Sequence, residues 1–103
     1  MRIDVVIRLR GGEAVAAQAR ELLAVLHARP GFLGGRVGQS VEDDGGVAVL
    51  AQFADLGSWR RALGATDVKL LATPLLGAHA ESVSTYETAD EAGPGPEPVR
   101  RRP

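Results

Sequence analysis

The chain contains no cysteine. That excludes disulfides, a thiolate nucleophile, and zinc or iron–sulfur centres built on cysteine. It also lacks a long apolar run. Stretches such as "AVAA" and "VAVLA" fall far short of the ~20 residues that span a bilayer, so no membrane partner is expected. Neither sign of charge dominates: 12 Lys and Arg stand against 13 Asp and Glu, for a formal charge of −1. Such a balance argues against nucleic acid as the main partner. The opening "MRIDVVIRLR" alternates and carries Asp4. It therefore lacks the continuous apolar core of a secretory leader, and a cytoplasmic location is expected. The two histidines, His27 and His79, are far apart, and no H-x-H or H-E-x-x-H spacing exists. A metal site is not expected. No phosphate-binding glycine motif occurs, and Ser40, Ser58, Ser82 and Ser84 have no neighbouring histidine in a nucleophile elbow. An uncharged small ligand fits this composition better than a polyanion.

With 103 residues, 45% of them apolar and 24% charged, the chain suits one domain with a single small core. Residues 3–9 alternate, with Ile3, Val5, Ile7 and Leu9 on one face, which predicts a half-buried strand. The spacing of Val15, Ala19, Leu22, Leu23 and Leu26 predicts a helix over 13–28, and Pro30 and Gly31 end it. A second strand over 32–41 and a third over 47–53 flank the acidic turn "EDDGG". Asp55 can cap a helix running to Gly64. Thr66 can cap another, in which Val68, Leu71, Ala72 and Leu75 share a face and Pro74 should break or bend the helix. "ESVSTYE" at 81–87 reads as the last strand.

The order is β-α-β-β-α-β with the second helix split. The expected fold class is therefore α+β, ferredoxin-like, with a four-stranded antiparallel sheet and helices on one face. Residues 1–87 make the domain; residues 88–103, rich in proline and glycine, make a disordered or surface-hugging tail. Strand interiors seldom carry glycine, yet the second strand has Gly34, Gly35 and Gly38, and the third carries Ala48 and Ala51. Either these small residues leave a cavity between sheet and helices, or they only permit bulges and twist.

The stretch "ARPGFLGGRVGQSVEDDGGVAVLAQFADLGSWRRAL" is similar to the antibiotic biosynthesis monooxygenase family of the dimeric α+β barrel superfamily. It combines a "PGFLG" turn after a helix, a strand, an acidic hairpin, a strand ending in an aromatic, and a helix after "D-L-x-S-W". The resemblance covers roughly residues 3–87. It implies a homodimer whose sheets pack face to face, with a ligand cavity between each sheet and its own helices. It also implies a cofactor-independent monooxygenase of secondary metabolism that uses molecular oxygen on an aromatic polyketide or phenol. A polyketide cyclase, or a non-catalytic ligand-binding protein on the same scaffold, are the alternatives. Oxygenases of this family often use an asparagine and a tryptophan on the third strand, where this chain has Val49 and Phe53. Haem-degrading members use an asparagine on strand one and a histidine in the second helical region; this chain has Ile7 and the Leu71–Ala72 region there. Trp59 falls where an aromatic residue often lines the family's cavity.

A cofactor-free oxygenase needs a dry pocket, a proton acceptor and a donor that stabilises oxyanion charge. Trp59 offers a large surface for stacking a planar ring and one indole donor. His79, placed in a loop before the last strand, could act as base or oxyanion partner. These two are the candidate catalytic residues. Phe53, Arg8, Gln52, Val49 and Tyr86 are the candidate substrate-binding residues, each with packing, solvent or the dimer partner as the plainer use. His27, on the polar side of a helix end, reads as solvated.

Overall fold

Four apolar residues at every second position build the centre of the molecule. In strand β1 (Ile3–Arg10), Ile3, Val5, Ile7 and Leu9 are buried while Arg8 and Arg10 point out. The computed structural model describes residues 1–92. It places β1 in the middle of an antiparallel sheet of order β2-β3-β1-β4. The other strands are β2 (Phe32–Gln39), β3 (Gly46–Phe53) and β4 (Ala80–Glu87). Helices α1 (Gly12–His27), α2 (Leu56–Gly64) and α3 (Thr66–His79) connect them. The α+β, ferredoxin-like order read from the sequence is the observed one, with helices on one face of the sheet. Most of the expected tail, residues 93–103, lies outside the described residues; Thr88 still bonds back to β1, its hydroxyl donating to Asp4 Oδ2 at 2.6 Å.

The core lies between the sheet and the helices. Val47, Val49, Ala51 and Phe53 from β3 join the β1 residues against Val15, Ala16, Ala19, Leu22 and Leu26 of α1. Trp59 and Ala62 of α2 and Val68, Ala72 and Leu75 of α3 complete it. Complete burial of a valine, leucine, isoleucine or phenylalanine side chain is worth about 1.5–3 kcal/mol. These side chains fill the space beneath the centre of the sheet, so among the described residues open volume between sheet and helices is left only toward the β2 edge.

Two glycine-bearing turns fix where the helices start. Gly12 has φ 66 and Gly31 has φ 88, conformations that side chains with a Cβ rarely adopt. At Gly31 a Cβ would also stand 2.3 Å from the Ser58 Oγ, so the turn out of α1 seats directly on the start of α2. Asp55 caps α2 as expected, its Oδ1 accepting from the Ser58 amide at 2.7 Å.

The next helix departs from expectation. Ala65 occupies the cap position, Thr66 is the first helical residue, and no side chain caps the helix. Asp67 instead accepts the Val68 amide proton at 2.8 Å. Pro74 neither breaks nor ends α3, which continues to His79. Proline deprives the Leu70 carbonyl of its partner, but Leu70 and Pro74 both face solvent, where water can take the freed acceptor. Consequently "LLGA" is helical, and His79 closes a helix rather than sitting in a loop.

Strand β2 ends at Gln39, short of the expected residue 41. The Ser40 hydroxyl accepts from the Glu42 and Asp43 amides at 3.1 and 2.8 Å and turns the chain early. Arg10 then ties this hairpin to both neighbours of β1's end. Its Nη1 donates to the Asp44 carbonyl at 2.9 Å and its Nε to Glu81 at 2.8 Å, while its Nη2 pairs with Asp43. The Gly11 and Gly12 amides both donate to the Gly45 carbonyl, at 2.9 and 3.1 Å.

Candidate functional site

Helix α1 presents two stripes. The buried stripe packs on the sheet; the second, Arg20, Leu23, Ala24 and His27, follows the i, i+3, i+4, i+7 spacing and faces the edge strand β2. Between them lies a cavity of about 540 Å³, closed on the other side by Phe32, Leu33, Gly34, Gly35 and Val37. Its volume falls in the range of small-molecule sites, about 300–1,000 Å³.

Strand β2 opens this space by its own irregularity. Its pairing with β3 slips between Phe32 and Gly34, so Leu33 bulges out of the ladder. A Cβ on Gly35 would stand 2.8 Å from Leu23 Cδ1 and 2.8 Å from the Leu50 carbonyl oxygen. Only glycine lets the helix come this close. On the opposite side of the sheet, Gly34 and Gly35 also border a second cavity of about 360 Å³, with Asp4, Val6, Arg36, Leu50 and Gln52. The glycines do therefore create volume. It lies on either side of the first half of β2, the second cavity also reaching Ala51, while Gly38 and Ala48 border a further one of about 330 Å³.

A file of aromatic rings leads from the α1–β2 cavity into the core. His27 and Phe32 have centroids 5.3 Å apart, Phe32 meets Phe53 edge-on at 5.5 Å, and Phe53 meets Trp59 at 5.3 Å. These are the separations at which ring edges and faces attract. The cation of the site is Arg20, whose Nη2 donates to Glu13 Oε2 at 2.6 Å. Gln39 donates to the other Glu13 oxygen at 2.8 Å. Together they hold the Glu13 carboxyl below the usual carboxylate range, Arg20 contributing most. The cavity thus offers an apolar bed of Leu23, Ala24, Phe32, Leu33 and Val37, with one guanidinium and one imidazole on its helical wall.

The residues expected to carry the chemistry fall in three separate places. Trp59, Phe53 and Val49 come together, but inside the core: Trp59 is 4% exposed and the other two are fully buried. None of the principal cavities is lined by them. Arg8, Gln52 and Tyr86 lie on the outer sheet face, Tyr86 at its end, where it borders a cavity of about 310 Å³ with Asp55 and Leu56 at the start of α2. There Gln52 donates to Asp4 Oδ1 at 3.0 Å, and Tyr86 stands across from Asp4 on β4. Arg8 is exposed on the same face, nearer the hairpin end. His79, half-buried, has its Nδ1 3.1 Å from the Arg10 carbonyl oxygen. It borders a third cavity, of about 330 Å³, between α1 and α3.

Arg20, His27 and Phe32 line this cavity although none was a candidate site residue in the sequence; His27, read there as solvated, is exposed as well. The signal was present as a second stripe on α1, one face over from the core stripe, running into "HARPGFLGG". Among the described residues no group of three His, Asp or Glu side chains could hold a metal ion, and no helix is long and apolar enough to cross a membrane.

No protein-family model and no curated protein matches the chain significantly. Solved structures do. SnoaB from Streptomyces nogalater, a cofactor-independent oxygenase, superposes with a TM-score of 0.72 at 23% identity, over 90% of this chain and 97% of that one. The chain shares the ferredoxin-like fold of this oxygenase. A candidate antibiotic biosynthesis monooxygenase from Deinococcus radiodurans matches with a TM-score of 0.70 at 19% identity, over 90% of this chain and 97% of that one. Rv0793 from Mycobacterium tuberculosis matches with a TM-score of 0.77 at 14% identity, covering 90% and 100%. Nearly the full length of this fold is accounted for in each case, so the α1–β2 cavity is built from parts of the shared fold and not from an added segment.

Proposed function

We propose that the protein is a cofactor-independent monooxygenase acting on a planar phenol or enol, of the aromatic polyketide kind, bound between α1 and β2. The observation that carries this reading is a cavity of about 540 Å³, walled by an aromatic ring and backed by two more, in a chain with the fold of SnoaB, itself described as a cofactor-independent oxygenase. Ground-state oxygen is a triplet, so it reacts with a singlet organic molecule through single-electron steps. Those steps become accessible once the substrate is held as its anion in a water-poor site. Oxidation of a ring methylene to a carbonyl is balanced without any other reagent: the carbon loses two hydrogens and gains one oxygen atom, and the second oxygen atom leaves as water.

In this reading Leu23 and Ala24 of α1 border one face of the substrate, and Phe32 and Val37 of β2 border the other. Phe53 and Trp59 hold the Phe32 ring in place from behind. A second copy of the chain packs on the outer sheet face, where Val6 and Leu50 form a half-buried apolar centre ringed by Arg8, Gln52 and Tyr86. The dimer then places these three at the interface. His79, in its own cavity, is held to the Arg10 carbonyl and serves the turn between β1 and α1.

The test is oxygen consumption by the metal-stripped protein with a panel of anthrones and related phenols, with product mass read alongside. Uptake with a product that has lost two hydrogens and gained one oxygen supports the reading. A product formed equally well without oxygen would mean a cyclase instead. One observation favours a non-catalytic ligand-binding protein: Val49 and Phe53, standing where similar oxygenases often use polar and indole side chains, are sealed in the core. Tight binding with the ligand recovered unchanged would decide for that reading.

A further inference from the structure

We propose that His27 is the group that takes the substrate's proton, so that the cavity's ligand is an acidic phenol or enol bound as its anion. This rests on the reading of the α1–β2 cavity as the substrate site, and adds the residue that would make the substrate reactive. The two ionisable side chains of the cavity wall are Arg20 and His27. Arg20 cannot accept a proton, and its guanidinium is already bonded to Glu13. Imidazole can exchange a proton near neutral pH.

The placement of His27 suits that role. It occupies the last turn of α1, exposed to solvent on one side and bordering the cavity on the other. Its ring sits 5.3 Å from that of Phe32, at a tilt of 38°, so a planar ligand lying against Phe32 brings a ring hydroxyl beside the imidazole. Of the elements around it, α1 brings Arg20 to the cavity, and the β2 wall brings no charged side chain. No carboxylate therefore competes for the proton on the cavity wall. In the step itself the substrate O–H bond breaks, an N–H bond forms on His27, and the electron pair stays on oxygen. The resulting anion is flanked by imidazolium and by the Arg20 guanidinium.

The experiment titrates dithranol, a dihydroxyanthrone, into the protein without oxygen near neutral pH and reads its absorbance. The wild-type protein should convert the bound probe from the neutral spectrum to that of the anion. His27→Gln should bind within about threefold of wild type while leaving the probe neutral, since most of the contact area is apolar. Ala24→Trp, at an exposed helix position lining the cavity, should weaken binding at least about tenfold with the melting temperature held, by filling the space. The proposal is overturned if wild type leaves the bound probe neutral, if His27→Gln still yields the anion, or if Ala24→Trp binds as wild type does. Because no oxygen is present, the result stands apart from turnover. A His27-dependent anion without oxygen uptake would refute the oxygenase and keep this site, whereas uptake without such an anion would refute only the role of His27.

Discussion

Trp59 was expected to meet substrate, and in the folded chain it meets Phe53 instead, so its replacement tests the core directly. Trp59→Ala removes an indole that is 4% exposed and leaves a void lined by Phe53 and the α2–α3 side chains. Buried tryptophan or phenylalanine replaced by alanine costs about 3–5 kcal/mol, depending on how far the site collapses. The lost pairing of the indole with the Phe53 ring, worth about 0.5–1.5 kcal/mol, is within that figure. For a domain of this size, with about 5–15 kcal/mol of total stability, the substitution takes away roughly a fifth or more. The melting temperature should fall by at least about 12 °C, since each kcal/mol moves it by about 4–8 °C in domains of 60–100 residues. Far-ultraviolet circular dichroism during urea unfolding is the suitable assay, because fluorescence loses its only indole. The denaturant slope should stay constant while the midpoint falls. A loss below about 1 kcal/mol would refute the argument, because a surface substitution costs no more than that. The indole would then have to stand clear of the core in solution.

Three further outcomes are expected. Gly35→Ala should cost about 1–3 kcal/mol, the range for overpacking, because the new methyl meets the Leu50 carbonyl as well as the movable Leu23; thermal melting checks it. Gly31→Ala should cost at least as much, since it adds strain at φ 88 to a clash with Ser58, and a calorimetric scan in which it matches wild type would contradict the packing described. Stability should also fall in acid. Glu13, Asp43 and Asp55 are all held below the usual carboxylate range, by hydrogen bonds from Arg20, from Arg10 and from the Ser58 amide respectively. A carboxyl with a lowered folded-state pKa stabilises the fold fully above its ordinary value and loses that contribution as pH falls through the lowered one. Urea midpoints should therefore hold steady down to about pH 5 and decline below about pH 4.5. Added salt should shrink the part due to Arg10 and Arg20 and spare the Asp55 cap.

The elements were legible where a period ran unbroken. Ile3, Val5, Ile7 and Leu9 announce β1, and the α1 core stripe and the Asp44-Gly45 turn are as plain. What misled was chemistry decided by neighbours. Pro74 reads as a breaker, yet an exposed carbonyl one turn back makes it tolerable; Thr66 reads as a cap, yet Asp67 is the side chain that bonds the first turn. The candidate site was harder still. Trp59 could have faced a cavity or the core, and only packing against Phe53 decides between them. His27 reads as solvated and is exposed in the fold, but a single helix position cannot reveal that a bulged strand with two glycines stands opposite. The glycines did point to open volume, but that it opens on both sides of the first half of β2 goes with a one-residue slip in pairing that no periodicity records.

The corner built around Arg10 bears on how this chain can be altered. Its guanidinium holds Asp43, the Asp44 carbonyl and Glu81, and the Gly45 carbonyl takes both amides at the start of α1. The hairpin is thereby spliced to the β1–α1 crossover and to β4, so three chain segments share one joint. Most surface hairpins tolerate inserted residues. This one should not, because a single added residue moves the Gly45 carbonyl and releases the first turn of the helix whose other end carries His27. An engineer wishing to attach a peptide or a label without disturbing the cavity would do better to leave this joint intact, remote as it is from the pocket, and to graft instead beyond Thr88.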